Sequence, residues 1–314
     1  MILRQPISEA LWRLTVRMTM AANFARCGLK RESTKIFHAM VEAPGYCTTH
    51  AVSLDVTPPG RTERIRFSGV DIDSAKVAAR KAFCEYLEAI TLWDSGASEE
   101  VSRSGWACAM TENSAQDTAY RELIERDAFI AHFLCPELRS TPIPSLADFK
   151  LVRLQSVDPE MKVIYCGLFL PDLKRWLIGG ACERDEAAAI RKALLEVVMM
   201  RKDWTATPRG NHSPKHQALL PHWESPENPK VMANIFSLFA GGGTRAIDFS
   251  IDRNHARPKA IRRFSKTHVV VGCEHPDLAA LTFGELWLRS EDKIRQVLKR
   301  RGLEIHEWLF HPML

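Results

Sequence analysis

The sequence predicts a mixed α/β protein, with helices packed on mixed sheets and one strand–turn–helix module present twice. Three observations carry this. Short runs rich in β-branched and aromatic residues recur between turn residues, three longer segments have helical period, and the two kinds interleave. The strand-like runs are Ala51–Val56, Arg64–Phe67, Lys162–Phe169, Trp176–Ile178, Arg245–Ile251 and Thr267–Val271. The helical segments are Asp73–Trp93, Ser114–Phe133 and Asp185–Lys202. Between them, Thr205–Pro229 carries Pro208, Gly210, Pro214, Pro221 and Pro226 and reads as a long irregular connection, of a length that belongs to lids and binding loops.

The duplication rests on residue order. Aligning Gly69 with Gly180 places Arg80–Lys81–Ala82 opposite Arg191–Lys192–Ala193 and Glu85 opposite Glu196. Asp73 or Ser74 opens the first helix and Asp185 the second, each offering an oxygen to backbone N–H groups that a helix start leaves unpaired. Two copies so widely spaced do not make a solenoid and are expected to face each other across one site.

With 46% hydrophobic and 26% charged residues in 314, the composition is that of an ordinary globular protein. No Pro/Gly/Ser linker or charge block cuts the chain, so a single domain over residues 1–314 is expected. Its core motifs lie at about 69–285, with an accessory part at 1–68 and a helix and tail at 286–314. A net charge of +5 suits phosphates or an acidic peptide and falls short of a nucleic-acid footprint. The basic residues around Arg257–Lys266 and Lys299–Arg301 read as solvated faces. Eight cysteines without a C-x-x-C pair fit reduced thiols in the cytoplasm. The apolar patch at Ala10–Val16 is broken by Arg13 and has no cleavage site after it, so no secretion is expected. No apolar run approaches the roughly 20 residues that span a bilayer, and no membrane partner is expected.

Glu85 and Glu88 stand three apart, as do Glu122 and Glu125, with Arg126 following. On a helix each pair shares a face. Their neighbours are apolar: Ala82, Phe83, Leu87 and Ile90 in one segment, Leu123, Ile124, Ala128 and Phe129 in the other. Carboxylates beside a core-facing stripe cost several kcal/mol unless a cation neutralises them. For either segment alone, a solvated ion-paired face explains the pattern. Two segments with the same Glu-x-x-Glu, in a chain that repeats its module, point instead to Mg²⁺ shared with phosphates, and to arginines that read phosphate oxygens. Other motifs are weaker. Gly241–Thr244 reads as a tight turn before a strand, since no Gly-Lys-Ser/Thr follows it. His212 and His216 have Pro214 between them and no accompanying glutamate, which argues against zinc.

The stretch Ser102–Phe133 resembles the central segment of the YcaO family, a turn and small-residue run leading into a helix with Glu-x-x-Glu-Arg, here Glu122, Glu125 and Arg126. The family's preceding helix motif is similar to Lys81, Glu85, Glu88 and Ala89, and its following one to Glu196, Met199 and Arg201. Arg245–Ser250 and Thr267–Glu285 are similar to its closing strands and loop. The resemblance implies a YcaO-like ATP-binding fold, with Glu85, Glu88, Glu122 and Glu125 as Mg²⁺ ligands. Lys81, Arg126, Glu196 and Arg201 join them around ATP. It implies an ATP- and Mg²⁺-dependent cyclodehydratase that activates backbone amides of a ribosomally made precursor peptide and forms thiazoline or oxazoline rings. The tail His311–Leu314 is similar to a short version of the proline-bearing end of azoline-forming members, which would give the α-carboxylate of Leu314 a part in orienting or deprotonating substrate. The implied partners are the precursor peptide, a separate leader-peptide-binding protein and a flavin dehydrogenase in one complex, with a homodimer compatible.

The chain departs from the family pattern at several positions. Lys81 stands for a serine, Ala89 for an arginine, Ser104 for an asparagine, Ala107 and Met110 for polar residues of the small-residue turn, and Met199 for a glutamine. Each removes a hydrogen bond to nucleotide, while Lys81 offers a phosphate contact of its own. Two further readings therefore stand beside the first: thioamide formation, and a catalytically silent scaffold in a peptide-modifying complex.

Overall fold

The computed structural model describes residues 5–30, 34–45, 49–57, 64–94, 104–171, 175–206, 229–280 and 290–309. Its elements in chain order are α1 (Gln5–Arg26), β1 (Thr34–Met40), β2 (His50–Val56), β3 (Ile65–Asp71), α2 (Ala75–Asp94), β4 (Trp106–Ala109), α3 (Glu112–Leu134), β5 (Ser140–Leu146), β6 (Phe149–Leu154), β7 (Lys162–Leu170), β8 (Arg175–Glu183), α4 (Glu186–Ala206), α5 (Pro229–Ala240), β9 (Arg257–Ser265), β10 (His268–Glu274) and α6 (Glu291–Arg300). The strands form sheets of order β1-β2-β3, β4-β10-β9 and β5-β6-β7-β8. This is the mixed α/β architecture that the interleaved patterns predict. None of the described helices is long and apolar enough to cross a membrane.

The chain divides into two compact units. The first holds Met1–Gly96, Ala107–Ala115 and Ile261–Val271. Here β2 is buried along its whole length and pairs antiparallel with β1 and β3. The alanine-rich face of α2 lies on this sheet: Ala75, Ala78, Ala79 and Ala82 are fully buried. Such close packing depends on Gly69, where a Cβ would stand 2.2 Å from the carbonyl oxygen of Ala78. The patch read at Ala10–Val16 is part of a helix of 22 residues, α1, whose Val16, Met20 and Phe24 recur every four residues and are buried. Phe24 meets the rings of Phe83 and Tyr86 on α2, at 5.0 and 5.7 Å between centroids.

The second unit holds Ala97–Trp106, Gln116–Ala260 and Gly272–Leu314. Antiparallel pairing runs through β5, β6, β7 and β8. On this sheet, Phe129 of α3 packs its ring 5.0 Å from Tyr165 of β7, and Phe239 of α5 stacks at 5.2 Å on Trp176 of β8. The segment Arg245–Ile251 is not the strand its composition predicts. Its backbone groups are satisfied one at a time: Arg245 bridges to Leu138, Ile247 is held at both N–H and C=O by the Gln155 side chain, and Ile251 donates to Val157. Gly241, at φ 76°, closes α5 in a turn, but the strand expected after Gly241–Thr244 is absent. In the basic run Lys299–Arg301, Lys299 and Arg300 are exposed as a solvated face requires, but Arg301 is not. Arg301 is buried and grips both Asp127 oxygens at 2.8 Å, while Arg300 pairs with Asp277 at 3.3 Å.

The two strand–turn–helix copies start alike. The Ser74 hydroxyl accepts the Val77 N–H at 3.2 Å, and the Asp185 carboxylate accepts the Ala188 N–H at 2.8 Å. Three residues separate cap and donor in each, and the cap residues align with one another under the sequence alignment. The lysine of each Arg-Lys-Ala then reaches the acid that ends its own strand: Lys81 reaches Asp71 and Lys192 reaches Glu183, both at 3.2 Å. One detail differs from the alignment. The glycine that faces α4 is Gly179, where a Cβ would meet Glu196 and Ala193, while Gly180 looks to the opposite side of β8.

Candidate functional site

In the second unit α3 and α4 deliver acidic side chains to neighbouring positions. Glu125 is buried, with only 5% of its surface exposed, because it stands between Ile124 and the apolar turn Ala128–Ala131. Arg126 Nη1 lies 3.4 Å from Glu125 Oε1, and Arg126 Nε lies 3.9 Å from Glu122 Oε1. Tyr165 of β7 donates its hydroxyl hydrogen to the Glu125 carbonyl at 3.1 Å. From α4, Glu196 accepts the Gly180 N–H at 3.1 Å. Gly180 leaves room for this group, since a Cβ there would stand 2.6 Å from the Tyr165 ring and 2.9 Å from Glu125 Oε1.

The electrostatics follow from this crowding. Burial, and then the charge of Glu125, push the Glu196 carboxyl up to about 7. Burial works against the charge of Arg126, yet Glu125, Tyr165 and Glu122 outweigh it and hold its pKa above the ordinary value. Lys192 follows the same rule: burial lowers its pKa, but Glu183, Glu125 and Glu196 raise it overall. Burial and Glu125 keep the Tyr165 phenol protonated far above its usual range. The arrangement therefore carries more negative charge than its cations fully answer.

One atom shows the shortfall directly. Glu125 Oε1 is buried and accepts no hydrogen bond among the described residues. A buried acceptor left in this state costs about 1–3 kcal/mol, more when charged. A divalent cation would satisfy it, because hard ions take carboxylate oxygens. Among the described residues no three His, Cys, Asp or Glu side chains are placed to hold a metal by themselves. An ion here would thus draw further oxygens from elsewhere, as Mg²⁺ does from phosphates. The residues fit the group on these terms.

In the first unit the other pair lies on α2. Glu85 is exposed and Glu88 half-buried, and Glu88 Oε1 accepts the Cys108 N–H at 2.7 Å. Lys81 donates to the Val70 carbonyl at 2.8 Å and to Asp71, so its ammonium is anchored at the end of β3. Arg201 is exposed near the end of α4. Leu314, with His311–Met313, lies outside the described residues, as do His212, His216 and Thr282–Glu285. Of the substituted positions, Ala89, Ser104, Ala107 and Met199 are buried and Met110 is exposed.

Sequence reasoning missed three contributors to the buried group. Tyr165 lies inside a strand with no chemical motif around it. Gly180 was visible only as an alignment anchor. Lys192 stood in the repeated Arg-Lys-Ala, which was the available signal. Lys259, read as part of a solvated face, lies over the Trp106 ring at 5.0 Å, where loss of water lowers its pKa.

Helix-borne carboxylates set against a sheet in a mixed α/β framework define the structural class. Solved structures place it further. The YcaO from Methanopyrus kandleri, determined with AMPPCP and Mg²⁺, superposes with a TM-score of 0.54 at 12% identity, covering 88% of this chain and 93% of that one. A chain of the Escherichia coli microcin synthetase McbBCD complex matches with a TM-score of 0.52 at 11% identity, covering 77% and 88%. A heterocyclase solved with substrate and cofactor matches at 0.51 and 12% identity; 95% of this chain covers 56% of that one. The fold is YcaO-like. No protein-family model matches the sequence, and no curated protein matches it either.

Proposed function

We propose that this chain is an ATP- and Mg²⁺-dependent cyclodehydratase that activates backbone amides of a ribosomally made peptide. The observation that carries the reading is the buried Glu125, with one oxygen lacking a hydrogen bond among the described residues and Arg126 beside it. In the second unit Glu122 and Glu125 would give oxygens to Mg²⁺, the rest coming from phosphates, and Arg126, Glu196 and Arg201 would surround the nucleotide; Lys81, Glu85 and Glu88, which the resemblance adds, belong to the first unit. Support comes from the fold shared with a YcaO solved with AMPPCP and Mg²⁺.

When bound, magnesium–ATP supplies the phosphoryl group. A Cys, Ser or Thr side chain of the substrate would add to the preceding carbonyl carbon and lose its proton; ATP would give its γ-phosphoryl group to the former carbonyl oxygen with release of ADP, and phosphate would leave as the amide nitrogen loses its proton and the azoline C=N bond forms. The chain's own part is to position and to balance charge. Arg126 is arranged to exchange its carboxylate contacts for phosphate oxygens, a bidentate geometry that guanidinium suits. Glu196, at a pKa of about 7, is poised to hold or give up a proton near neutrality. Precursor peptide, a leader-binding protein and a flavin dehydrogenase complete the proposed complex; McbBCD, with a similar fold in one chain, is itself a multi-protein synthetase.

A second reading, the silent scaffold, is favoured by Ala89 and Met199, buried apolar side chains where the family pattern has polar ones. One experiment separates the readings. The chain is incubated with ATP, Mg²⁺ and the precursor encoded nearby, and the peptide is weighed. Loss of one water per modified residue supports the cyclodehydratase, and oxygen-to-sulfur exchange means thioamide formation. An unchanged peptide, with and without partner proteins, favours the scaffold and overturns the enzyme.

A further inference from the structure

A further feature of the first unit shares with the nucleotide reading only Met110, one of the positions substituted against the family pattern. Residues of α1, α2 and the start of β10 line a cleft of about 310 Å³. Arg26, Lys76 and Arg80 stand on its wall, and no carboxylate does so among the described residues. None of the three forms an ion pair with a described residue, and both arginines press their charge on His268, which also lines the cleft. Lys76 and Arg80 are four apart on one helix face, where like charges repel. Lys76 also sits in the first turn of α2, the end that favours anions, and that turn holds no acidic residue. At the wall lies Asn23, 3% exposed, whose amide nitrogen has no hydrogen-bond partner among the described residues. Cations without counter-charge and an unmatched buried donor describe a site for carboxylate or phosphate oxygens.

The approach to the cleft selects between them. On α1, Leu11, Leu14 and Met18 are 58%, 53% and 63% exposed, and with Ala22 they follow helical spacing as one stripe. Met18 and Ala22 line the cleft, so the stripe runs directly into it, with Met110, 59% exposed, at the same wall. A free phosphate would use the cations and leave the stripe in water. A peptide that carries carboxylates and apolar side chains at helical spacing uses both. We propose that this cleft binds an acidic amphipathic peptide segment, its carboxylates on Arg26, Lys76, Arg80 and the Asn23 amide, its apolar side chains along Leu11, Leu14 and Met18.

The test uses the full chain without ATP or Mg²⁺, so its outcome is independent of the nucleotide chemistry. Fluorescence anisotropy follows a labelled synthetic peptide with Glu and Leu at helical spacing, and a control peptide with every Glu replaced by Gln. The acidic peptide is expected to bind, the Gln peptide about 10-fold more weakly, and Lys76→Glu/Arg80→Glu to weaken acidic-peptide binding by about 10-fold or more. Leu14→Gln/Met18→Gln should weaken both peptides. Lys76→Gln/Arg80→Gln, which relieves repulsion, is expected to melt no lower than the parent while still losing affinity, which separates binding from folding. Equal binding of the two peptides, parent-like binding by the charge variants, or calorimetric binding of inorganic phosphate without binding of either peptide overturns the proposal.

Discussion

Arg126 Nη1 stands 3.4 Å from Oε1 of Glu125, its neighbour in α3, and that same oxygen accepts no hydrogen bond among the described residues. A charge contact without a hydrogen bond leaves the carboxylate poised for a second cation. Glu125→Gln keeps the shape and removes the charge. The variant is expected to fold and to lose Mg²⁺-dependent ADP release by 100-fold or more, an order-of-magnitude figure for removing a ligand or charge-stabilising group. Full activity would take Glu125 out of the site.

Gly180 sets the space for the same group. In Gly180→Ala the new methyl would stand 2.6 Å from the Tyr165 ring. Forced shifts of this kind cost about 1–3 kcal/mol. Urea unfolding should report that loss, and ADP release should fall beyond what the reduced folded fraction explains.

Asp127 and Arg301 form a pair with 1% and 0% side-chain exposure, two bonds of 2.8 Å joining them. Removing one partner leaves the other charge buried. Asp127→Asn or Arg301→Met is expected to cost about 3–5 kcal/mol, measured by denaturant midpoint. The double variant should recover part of the loss.

The helix caps give a milder and more local test. Ser74→Ala and Asp185→Ala each remove one side-chain bond to a backbone N–H, and each is expected to cost about 1 kcal/mol. Replacing Ser74 with Asp should restore the cap, and a loss unchanged by that exchange would assign the effect elsewhere.

The contribution of His132 to stability should fall with acid. His132 is buried in α3 with Nδ1 2.8 Å from the Ala128 carbonyl, and its Nε2 accepts the Gln155 N–H at 3.3 Å. Nε2 also lies 3.3 Å from the Arg139 carbonyl; both carbonyls favour the charged ring, but burial outweighs them and lowers its pKa below the ordinary 6.5. The unfolded chain therefore takes up the proton first: stability is fully present above about pH 6.5 and is lost as pH falls toward the folded pKa. Unfolding free energies of the parent and of His132→Gln between pH 5 and 8 should differ by an amount that shrinks on the acid side, by at most about 1.4 kcal/mol per pH unit for one proton; the raised Glu196 carboxyl acts with the opposite sign and is common to both chains. An identical slope in the two would remove His132 as the cause.

Much of the framework was legible because it depends on local period and punctuation. α2, α3 and α4 begin and end close to the predicted points, since cap residues and the 3.6-residue period are set by neighbours in the chain. The strands that escaped are largely those at sheet edges: β1, β4, β5 and β9. β5 carries Pro142 and Pro144, and β9 carries Arg257, Lys259, Arg262 and Arg263. Charge and proline protect an edge from further pairing, and they erase the apolar alternation that reveals a strand. β8 was read too short because Gly179 and Gly180 look like a turn; in the fold they are narrow places in a strand, with α4 on one side and Tyr165 with Glu125 on the other.

By itself, then, the sequence determined the α/β class, the doubled module with its caps and lysines, and the acidic pairs on helices, since each is written in spacings of a few residues. Only tertiary structure decided which carboxylate is buried, that Arg301 serves Asp127 rather than solvent, that Arg245–Ile251 is no strand, and that Arg26, Lys76 and Arg80 share one wall. Burial and charge pairing are set by segments far apart in the chain, and no local pattern encodes the neighbours a side chain meets once those segments pack.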